Sequence, residues 1–324
     1  MTLLLLNSGS RIATGVLKRL ISSGSYNNII LADTYPNYWA VQKSLLAREE
    51  FGITSDSKTK LEDVKISERS DLIDVIRRAS HIVYVTHDYY ALVPAKTNLI
   101  KTAAQIAKEN KSLKSFVALT PVELDHQGEL GEVEASEREA REAYPDLVHL
   151  KSDIVAGEHG SLLSFLAQRI FNGESIYLTQ QAGAKQAAPV SCNDVEAAVE
   201  AALKNDKHKG KAYLLQGPGK VGFTEIIETL GKATNKSPAI RSSALENFVS
   251  PLSVNLLSEK LYTYEYINAM RFLENYRILS EGNYGKMTEL GVTPTEFSKV
   301  YANIKTDFQR KDSGLEKLIK GFLY

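Results

Sequence analysis

The chain has 324 residues, with Lys plus Arg and Asp plus Glu both at 39, so its formal net charge is zero. That balance lacks the excess of Lys and Arg carried by a general nucleic-acid binder or a polybasic membrane binder. The single cysteine, Cys192, excludes an internal disulfide framework and a Cys-based zinc cluster, and no apolar run approaches the ~18–20 residues that cross a bilayer.

Leu3–Leu6 is a short apolar run that ends in the small, polar stretch Asn7-Ser8-Gly9-Ser10. Apolar residues then recur at Ile12, Val16, Leu17, Leu20 and Ile21, which predicts a helix. Asn28–Ala32 is a second strand, closed by Asp33. Strand and helix continue to alternate: Val64–Ile66 then Leu72–Ala79, Ile82–Val85 then Leu99–Ala107, and a strand at Phe116–Leu119. Continuous apolar runs joined by helices imply a parallel sheet covered on both faces. After about residue 150 the pattern is less regular. Leu162–Ile170, Val195–Leu203 and Phe223–Leu230 read as helices, and Ala212–Leu215 as a strand. Asn193 or Asp194 is the expected cap of the second of these helices, with Cys192 buried just before it. From about residue 243 the chain reads as mainly helical, up to a basic tail. The expected class is α/β, a Rossmann-like doubly wound parallel sheet over residues 1–155. A smaller, mainly helical C-terminal region is expected over 156–324.

A strand, a tight turn and a helix form the standard dinucleotide-binding unit, in which glycines let the backbone approach a pyrophosphate at the helix N-terminus. Here a G-x-x-G-x-x-G pattern aligned on the helix falls on Asn7, Ser10 and Ala13, leaving Gly9 out of phase and Gly15 inside the helix. A turn of small residues that binds nucleotide and a worn turn kept for packing both fit this pattern. The candidate cofactor contacts are Ser8, Gly9, Ser10, Arg11 and Ile12, with Asp33 at the position that binds a ribose 2′-hydroxyl. Asp33 favours NAD, whereas Arg11 suits the 2′-phosphate of NADP, so the expected cofactor is NAD(P). No metal is expected: His81 and His87 flank one strand, but no Cys or second His lies at ligand spacing. His87-Asp88 is a candidate general base at a strand end, or a polar loop pair.

One stretch is more specific. Arg141-Glu-Ala-Tyr-Pro-Asp146, continuing as Leu150-Lys-Ser-Asp-Ile-Val-Ala-Gly157, resembles the short-chain-dehydrogenase-like accessory subunit of mitochondrial respiratory complex I. That family has an acidic helix, an Ala-aromatic-Pro turn, and a strand ending in Lys-Pro-Ser-Asp-Ile and Gly. Leu162–Ala167, Lys185-Gln186, Pro189-Val190, Asp194-Val195, Gly210-Lys211, Gly217-Pro218 and Leu290-Gly291-Val292 follow in similar order. The resemblance implies an atypical extended short-chain dehydrogenase fold. It also implies a peripheral, non-catalytic subunit that stabilises the assembly on the matrix side of the inner membrane and holds a nucleotide without turning it over.

Active reductases of this fold use a Tyr proton donor and a Lys four residues on, whose cation lowers the phenol pKa. From Ser115 to Ala143 this chain has neither Tyr nor Lys. In the family alignment the two positions fall near Glu129 and Val133, so no catalytic residue is assigned. The rival readings are an active NAD(P)-dependent reductase or epimerase with an unusual proton donor, and an NAD(P)-sensing regulator.

Other features bear on partners. Pro121–Asp146 holds nine acids and two bases, a solvated helix face or a docking surface for a basic partner. Tyr262, Tyr264, Tyr266, Phe272 and Tyr276 crowd one segment, as in an interface or a helix-pair core. The tail from Lys299 has six bases, three acids and an apolar stripe at Leu315, Leu318, Ile319 and Phe322. It suits a partner subunit, a membrane surface, or packing on its own domain. The first 32 residues hold no acid, as in a mitochondrial targeting segment; because they also read as the first strand and helix, the expectation is an uncleaved internal signal, the alternative being a chain start that follows processing.

Overall fold

The computed structural model describes residues 1–34, 58–85, 94–121, 129–158, 160–242, 273, 276, 278, 282 and 284–302. The chain opens with β1 (Thr2–Leu6), α1 (Arg11–Ser22) and β2 (Asn28–Asp33). It continues through β3 (Lys60–Lys65), α2 (Arg69–Arg78), β4 (His81–Val85), α3 (Pro94–Ala107), β5 (Ser115–Pro121), α4 (Glu129–Ala143) and β6 (Val148–Ser152). Beyond these come β7 (Val155–Ala156), α5 (Ser161–Phe171), β8 (Ile176–Leu178), α6 (Gln180–Gly183), β9 (Gln186–Ala187) and β10 (Val190–Ser191). Then follow α7 (Cys192–Lys204), β11 (Ala212–Leu215), β12 (Val221–Gly222), α8 (Phe223–Thr234), β13 (Ile240–Ser242), β14 (Gly285–Lys286) and α9 (Phe297–Ala302).

Eight strands form one sheet in the order β14-β11-β6-β5-β4-β1-β2-β3, and every neighbouring pair is parallel. The expected doubly wound sheet is thus present. Its last two strands, β11 and β14, come from after residue 155.

Alternate residues of the strands face opposite layers. Leu3, Leu5, Ile29, Leu31, Val83, Val85, Val117 and Leu119 share one core with Val16 and Leu20 of α1 and Val195 and Val199 of α7. Leu4, Leu6, Ile30, Ile82, Phe116 and Ala118 share the other with α2, α3 and Ala140 of α4. This explains the unbroken apolar run of β1: Leu3–Leu6 are all fully buried, two on each face. Burying each such leucine stabilises the fold by roughly 1.5–3 kcal/mol. Arg19 of α1 and Glu200 of α7 form an ion pair at 2.5 Å that joins the two helices of the first layer.

A further core lies around α5 and α8, where Leu163, Leu166, Ile170, Ile226, Ile227 and Leu230 meet Leu273, Tyr276, Phe297 and Tyr301. The start of α7 differs from expectation. Ser191 is its N-cap and Cys192 its first residue, because Asp194 is engaged elsewhere. Its carboxylate accepts from the Thr295 amide at 2.7 Å and from the Thr295 hydroxyl at 3.0 Å, pinning the segment that leads into α9.

Candidate functional site

The strand order reverses between β1 and β4, and in open α/β sheets ligands bind outside the C-terminal strand ends at such a switch point. The turn Asn7–Ser10 lies there. Asn7 adopts the left-handed conformation, φ +57°, that the first glycine of a nucleotide loop would supply. Asn adopts that conformation more readily than most non-glycine residues. The Ser8 amide donates to the Ala32 carbonyl at 3.3 Å and the Gly9 amide to Asp33 Oδ2 at 2.9 Å. Ser10 is the N-cap of α1: its backbone is extended and its Oγ accepts from the Ala13 amide at 3.1 Å. The amides of Arg11 and Ile12 belong to the first turn, which has no intrahelical acceptor. No acid stands in that turn and Arg11 is exposed, so the helix end is positive.

The Asn7 side chain is fully buried, yet neither its Nδ2 nor its Oδ1 has a hydrogen-bond partner among the described residues. Burying an unsatisfied polar group costs about 1–3 kcal/mol. A buried donor and acceptor beside a positive helix end fit a ligand that carries phosphate and hydroxyl groups, as a dinucleotide does. Asp33 is also buried, and one of its oxygens holds the turn through Gly9. The structure therefore brings Asn7, Ser8, Gly9, Ser10 and Asp33 together, with Arg11 and Ile12 on the helix they cap.

A second polar group lies between β5, β6 and α4. Lys151 Nζ and Glu137 Oε2 form an ion pair at 2.9 Å, with side chains only 3% and 6% exposed. His149 Nε2 lies 2.8 Å from Thr120 Oγ1 and 3.6 Å from Glu137 Oε2. Sequence reasoning assigned none of these four. The available signal was the alternation in Val148-His149-Leu150-Lys151, which places polar residues on one face of a strand buried on both. Glu129 and Val133 stand on α4, but their side chains lie outside the described residues, as do His87 and Asp88.

Just past β6, Asp153 is fully buried. Tyr276 donates to it, its hydroxyl lying 2.7 and 2.8 Å from the two carboxylate oxygens. The Ile154 backbone amide at 2.7 Å and the Gln216 side-chain Nε2 at 3.2 Å also donate to it. Burial pushes its carboxyl above the usual range, and these donors oppose that push. Asp153 thereby ties β6, β11 and the C-terminal region together at the mouth of the sheet. His81 sits at the opposite end of β4, with Ser80 Oγ 3.0 Å from its Nδ1 and the Tyr26 ring edge-on at 5.3 Å. It is not part of the turn site. Among the described residues no group of three or more His, Cys, Asp or Glu is placed to hold a metal ion.

No protein-family model and no curated protein matches the sequence. Solved structures do match in fold. UDP-glucuronic acid 4-epimerase from Bacillus cereus, in complex with UDP-glucuronic acid and NAD, superposes with a TM-score of 0.59 at 12% identity, over 84% of this chain and 100% of that one. A nucleoside-diphosphate-sugar epimerase from Staphylococcus aureus gives 0.61 at 14%, over 93% and 99%. A structure from work on pinoresinol-lariciresinol and phenylcoumaran benzylic ether reductases gives 0.61 at 14%, over 92% and 98%. At these identities the likeness is one of fold: this chain has the Rossmann-type fold shared by these epimerases and reductases.

Proposed function

We propose that the chain binds a nicotinamide dinucleotide, NAD or NADP, across the turn between β1 and α1. The observation that carries this reading is the buried Asn7 amide, which lacks partners among the described residues at the switch point of the sheet beside the N-terminus of α1. The turn Ser8-Gly9-Ser10, whose own amides are held by Ala32, Asp33 and Asn7, would bring the diphosphate to the amides of Arg11 and Ile12 in the first turn of α1, and Arg11 adds charge. Asp33 reaches toward the adenosine ribose while keeping its bond to Gly9. The bound group would supply hydride transfer; this chain's residues bind and orient it.

Two roles rest on that binding. The structural neighbours favour an NAD(P)-dependent reductase or epimerase of the extended short-chain dehydrogenase type. A specific observation favours the second, a non-catalytic accessory subunit of mitochondrial complex I. Residues 115–143 contain neither Tyr nor Lys, and residues 141–157 follow that family's pattern. In this role the chain would act on the matrix side of the inner membrane, its nucleotide stabilising the folded form by mass action.

Calorimetric titration of the purified chain with NADH and NADPH tests the shared premise; saturable binding supports it and no heat with either refutes it. Incubation of the loaded protein with sugar nucleotides and carbonyl substrates then separates the roles. Turnover favours the enzyme. Binding without turnover, with comigration of the tagged chain and NADH dehydrogenase activity on a native gel of mitochondria, favours the subunit.

A further inference from the structure

The end of the sheet opposite the Asn7–Ser10 turn carries a concentration of lysines. The loop before β5 holds Lys108, Lys111 and Lys114, and the loop before β11 holds Lys207, Lys209 and Lys211. Against these six stand four acids at the same end, Glu109, Asp146, Asp206 and Glu289, the last acting on His208, a local charge of +2 in a chain of zero net charge. Lys209 pairs with Asp206 at 3.1 Å. The other five are exposed and make no ion pair among the described residues.

The backbone fixes these loops side by side. β5 and β11 flank β6, so the two loops start about 10 Å apart. The Lys114 amide donates to the Ser80 carbonyl at 2.8 Å, and the His149 amide to the Lys211 carbonyl at 2.9 Å. Gly210, at φ +73°, passes so close to the next loop that a Cβ there would lie 3.0 Å from the Pro145 carbonyl oxygen.

The chemistry of the rim selects among anionic partners. All six cations of these loops are lysines, whereas protein interfaces are enriched in Arg and aromatics and depleted in Lys. Neither loop presents an exposed large apolar or aromatic side chain, so it lacks the stacking platform that single-stranded nucleic acid uses. Flexible ammonium groups spread over one end of a rigid sheet suit a layer of phosphate headgroups, at about 1 kcal/mol for each lysine near the surface. We propose that this rim docks the protein peripherally on an anionic phospholipid surface, with the Asn7–Ser10 turn facing away from it. No helix among the described residues is long and apolar enough to cross a membrane, so attachment of these elements would be at the surface. The surface is independent of nucleotide binding.

The test is cosedimentation of the full chain with vesicles of phosphatidylcholine alone and of phosphatidylcholine mixed with phosphatidylserine. Wild-type protein is expected to sediment with the mixed vesicles only and to be released at high salt, since the attraction is screened beyond a Debye length. The variant K111E/K114E/K207E/K211E is expected to lose binding by at least about fivefold for each lysine changed. All four positions are exposed, and an unchanged thermal midpoint confirms that the variant is folded. Lys-to-Gln changes at the same sites should give a smaller loss in the same direction. Three results overturn the proposal: no sedimentation with the mixed vesicles, equal sedimentation of the quadruple variant, or preferential binding of wild type to polyglutamate or DNA over the vesicles.

Discussion

At the scale of single residues, two buried polar groups carry opposite expectations. Asn7 holds a left-handed turn with an amide that bonds to nothing among the described residues. Glycine accepts that conformation without steric cost. Asn7→Gly is therefore expected to leave the thermal midpoint of the free protein unchanged or higher while shrinking the increase produced by saturating NADH. Differential scanning fluorimetry with and without nucleotide reads both effects; an unaltered nucleotide-dependent increase would remove Asn7 from the site. The Lys151–Glu137 pair behaves differently, because each partner offsets the other's burial. Glu137→Leu strands an ammonium beneath α4 and is expected to cost about 3–5 kcal/mol in urea denaturation, whereas Glu137→Leu/Lys151→Met should recover most of that loss. Equal destabilisation by the single and double variants would show that packing, not charge, dominates there.

At the scale of elements, local pattern carried most of the strands and helices, and long-range contacts account for what it missed. β1, β2, β4 and β5 announce themselves as apolar runs because both faces of the sheet are covered. β3 is less legible: expected from Val64, it begins at Lys60, since a strand that among the described residues pairs only with β2, at the sheet edge, tolerates the charged Lys-Leu-Glu-Asp sequence. Asp194 looked like a cap because its type suits one, but Thr295, 101 residues away, holds its carboxylate. The site was half legible. The turn and Asp33 were recognisable from spacing, but not the bond between Asp33 and Gly9, nor the Thr120, Glu137, His149 and Lys151 group, which exists only once β5, β6 and α4 are assembled. The junction between β7 and α5 shows how narrow such constraints are. Gly157 has φ +112°, donates to the Tyr301 hydroxyl at 3.1 Å, and leaves only 2.7 Å between a hypothetical Cβ and Cys192 Sγ. Gly157→Ala is expected to destabilise the fold by about 1–3 kcal/mol through backbone strain alone, plus a steric part. Adding Cys192→Ala should restore the steric part only. Full rescue by the second change would mean that the backbone there is not strained.

At the scale of the molecule, the sheet separates its chemistry by ends, and this predicts how stability depends on pH. His81 enters β4 and His208 precedes β11, both at the lysine-rich end. Burial lowers the pKa of each below the ordinary 6.5. Lys114 and the N-terminus add to this for His81 against Asp206, and Lys207 and Lys211 for His208 against Glu289. In the unfolded chain these histidines take up protons near pH 6.5, while the folded protein binds them only at lower pH. The unfolded state thus binds more protons in that interval, and stability falls as pH drops below about 6.5. Asp153 acts in the other direction: its carboxyl is raised by burial, so the folded state holds a proton that the unfolded chain releases. A wild-type profile therefore mixes opposed slopes, and a difference measurement separates them. His208 Nδ1 lies 2.7 Å from the Tyr213 hydroxyl, and Gln keeps a hydrogen-bonding group near that position without titrating. Urea midpoints of wild type and His81→Gln/His208→Gln, measured from about pH 7.5 to about pH 5.5 across the ordinary histidine range, should diverge as pH falls. Wild type should lose stability relative to the variant, with Asp153 contributing equally to both. Parallel profiles would mean that these histidines protonate as readily in the folded protein as in the unfolded one, and that the lysine-rich end does not hold them neutral.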